Sequence, residues 1–209
     1  MSNGDEIYVI GAGGHAKVVI STLQAAGHKV AAVFDDDKRK WGAVLLGIPV
    51  QGPLTQLKHL NHAKAVIGIG NNAIRRDVAR RFEALDWVTA VHPKAEVHTS
   101  VHLGPGTVVF AGAVVQPNSI IGAHSIVNSG ATIDHDCRIG EYVHVAPGVH
   151  VAGDVQLAEG VFLGIGSAVT PGVRIASWTT VGAGGVVIRD LPAGVVAVGV
   201  PARDIKSKD

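Results

Sequence analysis

From Val97 to Val187 every sixth residue is aliphatic, without a break. If aliphatics fill roughly three positions in ten, a run of this length arises by chance with a probability on the order of 10⁻⁸. Four residues after each aliphatic the side chain is small or β-branched, as at Ala113, Ser119, Ser125, Ala131, Cys137, Val143 and Val149. The position that follows each aliphatic is often Gly, Ala or a small polar residue: Gly104, Gly122, Asn128, Asp134, Gly140, Ala146, Gly164, Gly182. A period of six is neither the 3.6 of a helix nor the 2 of a plain strand. It predicts an all-β parallel β-helix of hexapeptide repeats. Each hexapeptide makes one short strand and one tight turn, three close a triangular coil of eighteen residues, and the run supplies about five coils. The glycines, asparagines and aspartates are expected at the turns, where positive φ is needed.

Residues eighteen apart then stack on one face. His135 falls below Gly153, which falls below Pro171. Asn128, Ala146, Gly164 and Gly182 form a second column of mostly tiny residues. That column is either a groove for a long thin ligand lying against backbone amides or a set of residues that only satisfy turn geometry.

Before the repeats the pattern differs. Ile7–Ile10 reads as a strand, followed by Gly11-Ala12-Gly13-Gly14-His15-Ala16 and a helix to about Ala26 with Val18, Val19, Ile20 and Leu23 on its apolar side. Val30–Phe34 is the next strand and ends in Asp35-Asp36-Asp37. An extended stretch at Ile48–Val50, a short helix near Thr55–Leu60, a strand at Ala65–Gly70 and a helix from Asn72 to about Ala84 complete a small Rossmann-like β-α-β domain. The expected division is an α/β domain over residues 1–86 and the β-helix with its tail over 87–209. The glycine loop fits G-x-G-x-x-A with an acidic residue, Asp35, about twenty positions on. Glycines admit a phosphate to the backbone, and a helix N-terminus favours its charge. A full two-halved dinucleotide fold does not fit in this length, whereas a mononucleotide half does. A nucleotide-linked ligand, a dinucleotide and a purely structural turn all remain open for this loop.

The net charge of +1 implies no steering toward nucleic acid or a membrane. No apolar run reaches transmembrane length, and no signal peptide is apparent. One cysteine permits no intramolecular disulfide, which suits a cytoplasmic location, and the slot of Cys137 suits a core filler. The triplet Asp134-His135-Asp136 falls on a turn with His135 outward. Asp136 can orient the imidazole and raise its basicity, and Gly153 one coil above offers an N–H to an oxyanion. His135, His144 and His150 fall on different faces or levels, so no metal is expected.

Together the segments IYVIGAGGHAK (7–17), Phe34–Asp36, NSGATIDHDC (128–137), Ile139–His144 and VGVPAR (198–203) resemble the hexapeptide sugar acyltransferases. More narrowly, they resemble the bacillosamine- and perosamine-type N-acetyltransferases and the sialic acid O-acetyltransferases. The resemblance implies a left-handed helix, a homotrimer with active sites between prisms, and acetyl-CoA as co-substrate. It further implies that His135 is the general base, oriented by Asp136 where related enzymes often carry Glu. His144 would contact acetyl-CoA near the thioester, the Gly153 amide would face the thioester carbonyl, and Ile165 and Ala183 would hold the pantetheine. His15, Asp35 and Asp36 would receive the nucleotide end of the sugar, beside the loop glycines Gly11, Gly13 and Gly14 read above as phosphate contacts, and Asn128 would receive the sugar itself. The implied activity is N-acetylation of a nucleotide-linked 4-amino-4,6-dideoxy sugar for surface glycans. The alternatives are O-acetylation of a sialic acid-type sugar and a non-catalytic β-helix scaffold.

Overall fold

A computed structural model describes residues 6–59 and 62–205. The chain divides into two compact units, residues 1–93 and 94–209, against the 86/87 boundary drawn from the sequence.

The first unit is built on a six-stranded sheet. Its strands are β1 (Glu6–Ile10), β2 (Lys29–Phe34), β3 (Val44–Leu45), β4 (Ile48–Gln51), β5 (Lys64–Ile67) and β6 (Asp86–Trp87), in the order β3-β4-β2-β1-β5-β6. All pairings are parallel except β3 on β4. Helix α1 (Gly14–Ala25) follows β1, and α2 (Asn72–Arg81) follows β5. Strand order reverses around β1, so the ends of β1, β2 and β5 define the crevice where open α/β sheets take ligands. Three details depart from expectation. The side of α1 that is buried is Ala16, Val19, Ile20 and Leu23, spaced three and four apart, and Val18 is exposed. The turn at Leu54–His59 is a 3₁₀ helix; the predicted end at Leu60 lies outside the described residues. Helix α2 stops at Arg81, short of Ala84, and is capped at its start by Asn71, whose side chain accepts from the Ile74 amide at 3.0 Å.

The second unit is the predicted left-handed parallel β-helix. Its two-residue strands form three ladders. Face one carries 108–109, 126–127, 144–145, 162–163 and 180–181. Face two carries 96–97, 114–115, 132–133, 150–151, 168–169 and 186–187, and face three runs from 102–103 to 174–175. Partners within a ladder are eighteen residues apart, as in Val109↔Val127, Ile133↔Val151 and Leu157↔Ile175. The aliphatic residues point inward. From Val109 onward each is 3% exposed or less, while Val97 and Leu103, in the first coil, are half-buried. The small residues fill the corners. Two of the polar ones are satisfied locally: Ser119 Oγ donates to the Asp134 carbonyl at 2.7 Å and Ser125 Oγ to that of Gly140 at 2.9 Å. Cys137 Sγ does the same toward Ala152 at 3.2 Å, and burial pushes its thiol pKa up. It is a corner filler.

The left-handed residue of each turn is two positions further on than the sequence pattern suggested. Positive φ recurs every six residues from Gly106 to Gly184, and its non-glycine members are Asn118, His124, Asp136, Tyr142, Asp154 and Trp178. The glycines after the aliphatic residues have another cause. A Cβ on Gly122 would sit 2.5 Å from the Gly140 carbonyl carbon, and one on Gly164 would sit 2.6 Å from the Ala183 amide nitrogen. The next coil occupies that space, so the Asn128–Gly182 column is a close packing of coils and not an open groove. The open column is Gly112, Gly130, Gly148, Gly166 and Gly184, each at positive φ, and the last four have nothing within 4 Å of a Cβ position.

These two glycine classes should separate in urea unfolding. Gly122→Ala forces backbone against backbone and should cost about 1–3 kcal/mol or more, as overpacking does. Gly130→Ala carries only the left-handed penalty of about 1–2 kcal/mol. Equal midpoints, or the reverse order, would contradict the packing assignment.

Candidate active site

The corner between faces two and three carries Pro117, His135, Gly153 and Pro171 in one column. His135 is exposed, and its Nδ1 lies 2.8 Å from Asp136 Oδ2. An ionised carboxylate only accepts, so Nδ1 carries the hydrogen and Nε2 is the basic atom of the neutral ring. The Asp136 hydrogen bond, then the charge of Asp134, raise the imidazole pKa above 6.5, and Asp154 adds to this. Asp136 itself is held below its ordinary value, first by that bond and then by Asn118.

Gly153 explains how the ring is seated. A Cβ there would lie 2.6 Å from His135 Cε1 and 2.7 Å from Nε2, so the imidazole packs against the glycine where a side chain would be. The coil ladder uses the amides on either side: Ala152 N donates to Val169 O and Asp154 N to His135 O, at 3.1 and 3.0 Å. The amide at the Gly153 turn position lies outside the ladder, which is why Pro117, Pro147 and Pro171 are tolerated at equivalent positions. At Ser129 and His135 the preceding side chain caps that amide, Asn128 Oδ1 and Asp134 Oδ1 each accepting at 2.8 Å. Ala152 precedes Gly153 and has no such acceptor.

A second set lies on face one and the corner between faces one and two. His144 is buried, its Nε2 lies 3.0 Å from Asn128 Nδ2, and it meets Phe162 edge-on at 5.3 Å. Ile165 and Ala183 stand on the same corner, beside the open glycine column, with Ile165 57% exposed. The fold therefore brings Asn128 to His144 and His135 to Gly153, and all of face two separates the two sets. Face two is grooved, with a cavity of about 410 Å³ lined by Val114, Thr132, Asp134, His150 and Ala168 among others.

In the first unit, Gly11, Asp35, Asp36, Leu54, Ile69 and Arg81 line a cavity of about 330 Å³ at the ends of β1, β2 and β5. Gly11 has φ +97°, and a Cβ there would strike Ile69 Cγ1 at 2.6 Å. Gly13 and Gly14 open α1 with empty space where side chains would be. The two aspartates are already engaged. Asp35 accepts from the Ala12 and Asp37 amides at 2.7 and 2.8 Å and from Lys40 Nζ at 2.8 Å. Partial burial opposes its ionisation, but Lys40 and the two amides outweigh that and hold its pKa low. Asp36 accepts from the Leu54 amide at 2.8 Å and from Arg81 at 3.2 Å. Both residues thus brace the glycine loop and the cavity wall. Sequence patterns missed Arg75, which is fully buried with Nη1 on the Ile69 and Gly70 carbonyls at 3.1 Å and Nη2 on Asn72 at 2.9 Å. No hydrophobic pattern marks a buried arginine. Burial first, then Arg75, pushes the His15 pKa down to about 4. Among the described residues no group of three or more His, Cys, Asp or Glu could hold a metal ion.

Residues 6–82 match the family of the PglD N-terminal domain. Over the whole chain, the protein is similar to a perosamine N-acetyltransferase variant from Caulobacter crescentus, solved with CoA and GDP-perosamine: 43% identity, 96% of each chain, TM-score 0.90. It is similar also to the acetyltransferase domain of PglB from Neisseria gonorrhoeae FA1090, solved with acetyl coenzyme A: 35% identity, 97% of this chain and 100% of that one, TM-score 0.91. A UDP-N-acetylbacillosamine N-acetyltransferase of Bacillus subtilis (strain 168) is 39% identical over 111 residues, 50% of this chain and 51% of that protein. The alignment spans about half the length of that curated relative, and only 21% of an uncharacterized Acanthamoeba polyphaga mimivirus protein that is 30% identical over 103 residues. The fold is that of the hexapeptide-repeat acyltransferases. The chain belongs to the nucleotide-amino-sugar N-acetyltransferase family within that class.

Because His15 is neutral in the folded state, its depressed pKa adds stability that is fully present above pH 6.5. That stability is lost as pH falls from 6.5 toward 4, where the unfolded chain binds the proton first. Thermal unfolding across that window should show a decline attributable to this group. His15→Gln, which cannot protonate, should flatten the slope, and an unchanged slope would refute the assignment.

Proposed function

We propose that the protein transfers an acetyl group from acetyl-CoA to the 4-amino group of a nucleotide-linked 4-amino-4,6-dideoxy sugar for surface glycans. The observation that carries this reading is the His135 constellation: an imidazole with Nδ1 on Asp136, its ring seated on Gly153, and Nε2 left as the base. The amine nitrogen attacks the thioester carbonyl and forms the C–N bond. His135 Nε2 takes the proton that the nitrogen sheds, and the amide of Gly153 receives the developing oxyanion. The C–S bond breaks and the departing thiolate regains the proton from His135. Direct transfer suits this chain, since Cys137 is buried with a raised pKa.

The nucleotide end is assigned to the cavity at Gly11, Asp35, Asp36 and Arg81, with the diphosphate at Gly13, Gly14 and His15 on the start of α1. Acetyl-CoA is assigned to the other corner, with His144 near the thioester and Ile165 and Ala183 along the pantetheine. Asn128, taken from the sequence as a sugar contact, stands with His144 and belongs with that set until the sites are joined. The same reading includes a homotrimer. If face two of each prism turns toward a three-fold axis, the His135 corner of one subunit meets the His144–Ile165 corner of the next. The close relatives' ligands, CoA with GDP-perosamine and acetyl coenzyme A, support the two substrates. A cytoplasmic setting suits substrates of this kind, and among the described residues no helix is long and apolar enough to cross a membrane.

The test is thiol release from acetyl-CoA against UDP-, GDP- and dTDP-linked 4-amino sugars, with free sialic acids as the competing acceptors. At least one amino sugar should be turned over. His135→Ala should then lower kcat by about 10²–10⁴, the range of a general base, with binding of both substrates little changed. His135→Asn should be as poor and Asp136→Asn should lose less. Turnover of sialic acids alone would replace the acceptor. More than about half of the activity retained by His135→Ala across pH 6–9 would remove His135 as the base.

A further inference from the structure

The corner that carries His135 also carries a second column, formed by its left-handed residues: Asn118, Asp136, Asp154 and Gly172, with φ of +62°, +59°, +57° and +73°. Each stands one coil above the last. Short polar residues tolerate this backbone, and their side chains can bond along the edge from coil to coil. Asn118 and Asp136 do so: Asn118 Nδ2 donates to Asp136 Oδ1 at 3.3 Å, while Asp136 Oδ2 faces His135 Nδ1 at 2.8 Å.

We infer that Asn118 is a positioning residue, whose side-chain amide holds one oxygen of Asp136 from the coil below so that the other stays on His135 Nδ1. This rests on His135 as the base. Asp136 and His135 are both exposed, with side-chain exposures of 52% and 58%. An exposed carboxylate with one partner swings between rotamers and trades that partner for water. A second bond, from a donor on the neighbouring coil, leaves one orientation. The backbone that carries the donor is itself fixed. It is held at both ends of the residue: the Asn118 backbone N–H donates to Ser100 Oγ at 2.9 Å, Ser100 Oγ lies 2.9 Å from His98 Nδ1, and the Asn118 backbone carbonyl accepts from Arg138 Nη1 at 3.1 Å. The charged groups bearing on the pair are Asp134 and Asp154 toward the imidazole and Arg138 toward Asp136, and none of them substitutes for a bond to Oδ1. The relay Asn118–Asp136–His135 thus sets which imidazole nitrogen is basic from a residue one coil below.

Two variants test this in the full-length protein, with the His135 imidazole followed by NMR titration against a His135→Ala reference. Asn118→Gly keeps the left-handed turn and removes the donor. Asn118→Asp keeps shape and turn but replaces the donor by an acceptor that repels Asp136. With circular dichroism and oligomer size unchanged, Asn118→Gly should bring the His135 pKa down toward 6.5 and move the acidic limb of kcat/KM with it. Its kcat should fall about tenfold at unchanged KM for both substrates. Asn118→Asp should lose at least as much kcat. A His135 titration unchanged in Asn118→Gly, or an Asn118→Asp protein indistinguishable from wild type, overturns the proposal. If His135→Ala stays active the base assignment fails instead, and the NMR titration still decides whether Asn118 acts on the imidazole.

Discussion

Each corner of the prism is turned by a residue at positive φ, and the coil closes in eighteen residues because that residue recurs every six positions from Gly106 to Gly184. Closure at this length puts equivalent backbone groups one coil apart, at the roughly 4.8 Å of a β ladder. The ladder hydrogen bonds then consume most amides of the strands and corners. What lies outside the ladder is decided by the same rule. One amide per corner lies outside the ladder, at the position where proline is tolerated, and Gly153 occupies it beside His135. The proposed chemistry is placed where the repeat leaves a backbone amide outside the ladder.

The three corners have been put to different uses by the residues at the left-handed position. One is glycine throughout, at 112, 130, 148, 166 and 184, and presents bare backbone next to Ile165 and Ala183. A second stacks aromatic rings, with His124 and Tyr142 parallel at 5.5 Å and Trp178 over Gly160. The third holds Asn118, Asp136 and Asp154 beside His135. Non-glycine residues at positive φ cost energy, so their retention at the third corner points to side chains that contribute something there. A bare glycine column and a charged edge thus stand at opposite borders of face two, and the proposed transferase reading needs a neighbouring subunit to bring them together.

The six-residue period made the β-helix, its eighteen-residue register and its inward residues legible, because burial of aliphatics is a strong one-dimensional signal. His135 under Gly153 followed from register alone. The reason for each glycine did not. Gly122 and Gly164 avoid the next coil, whereas Gly130 and Gly148 supply left-handed turns, and composition cannot tell steric exclusion from backbone conformation. Asn118 was in register with Asp136 from the start, but its donor role depends on a side-chain rotamer. In the α/β unit the glycine loop was legible. The engagement of Asp35 by the Ala12 amide and the burial of Arg75 were not, since both are polar contacts that leave no periodic trace.

The central claim is that the catalytic corner and the coenzyme corner come from different subunits. Subunit mixing tests it most directly. His135→Ala removes the base from one corner, and Ile165→Glu, at an exposed position, obstructs the other without touching the core. Each protein alone should release almost no thiol from acetyl-CoA. After unfolding and co-refolding at equal amounts, about a quarter of the sites in randomly mixed trimers should hold both intact corners, and activity should return to about that fraction of wild type. Mixed oligomers verified by mass spectrometry that remain inactive would contradict the account.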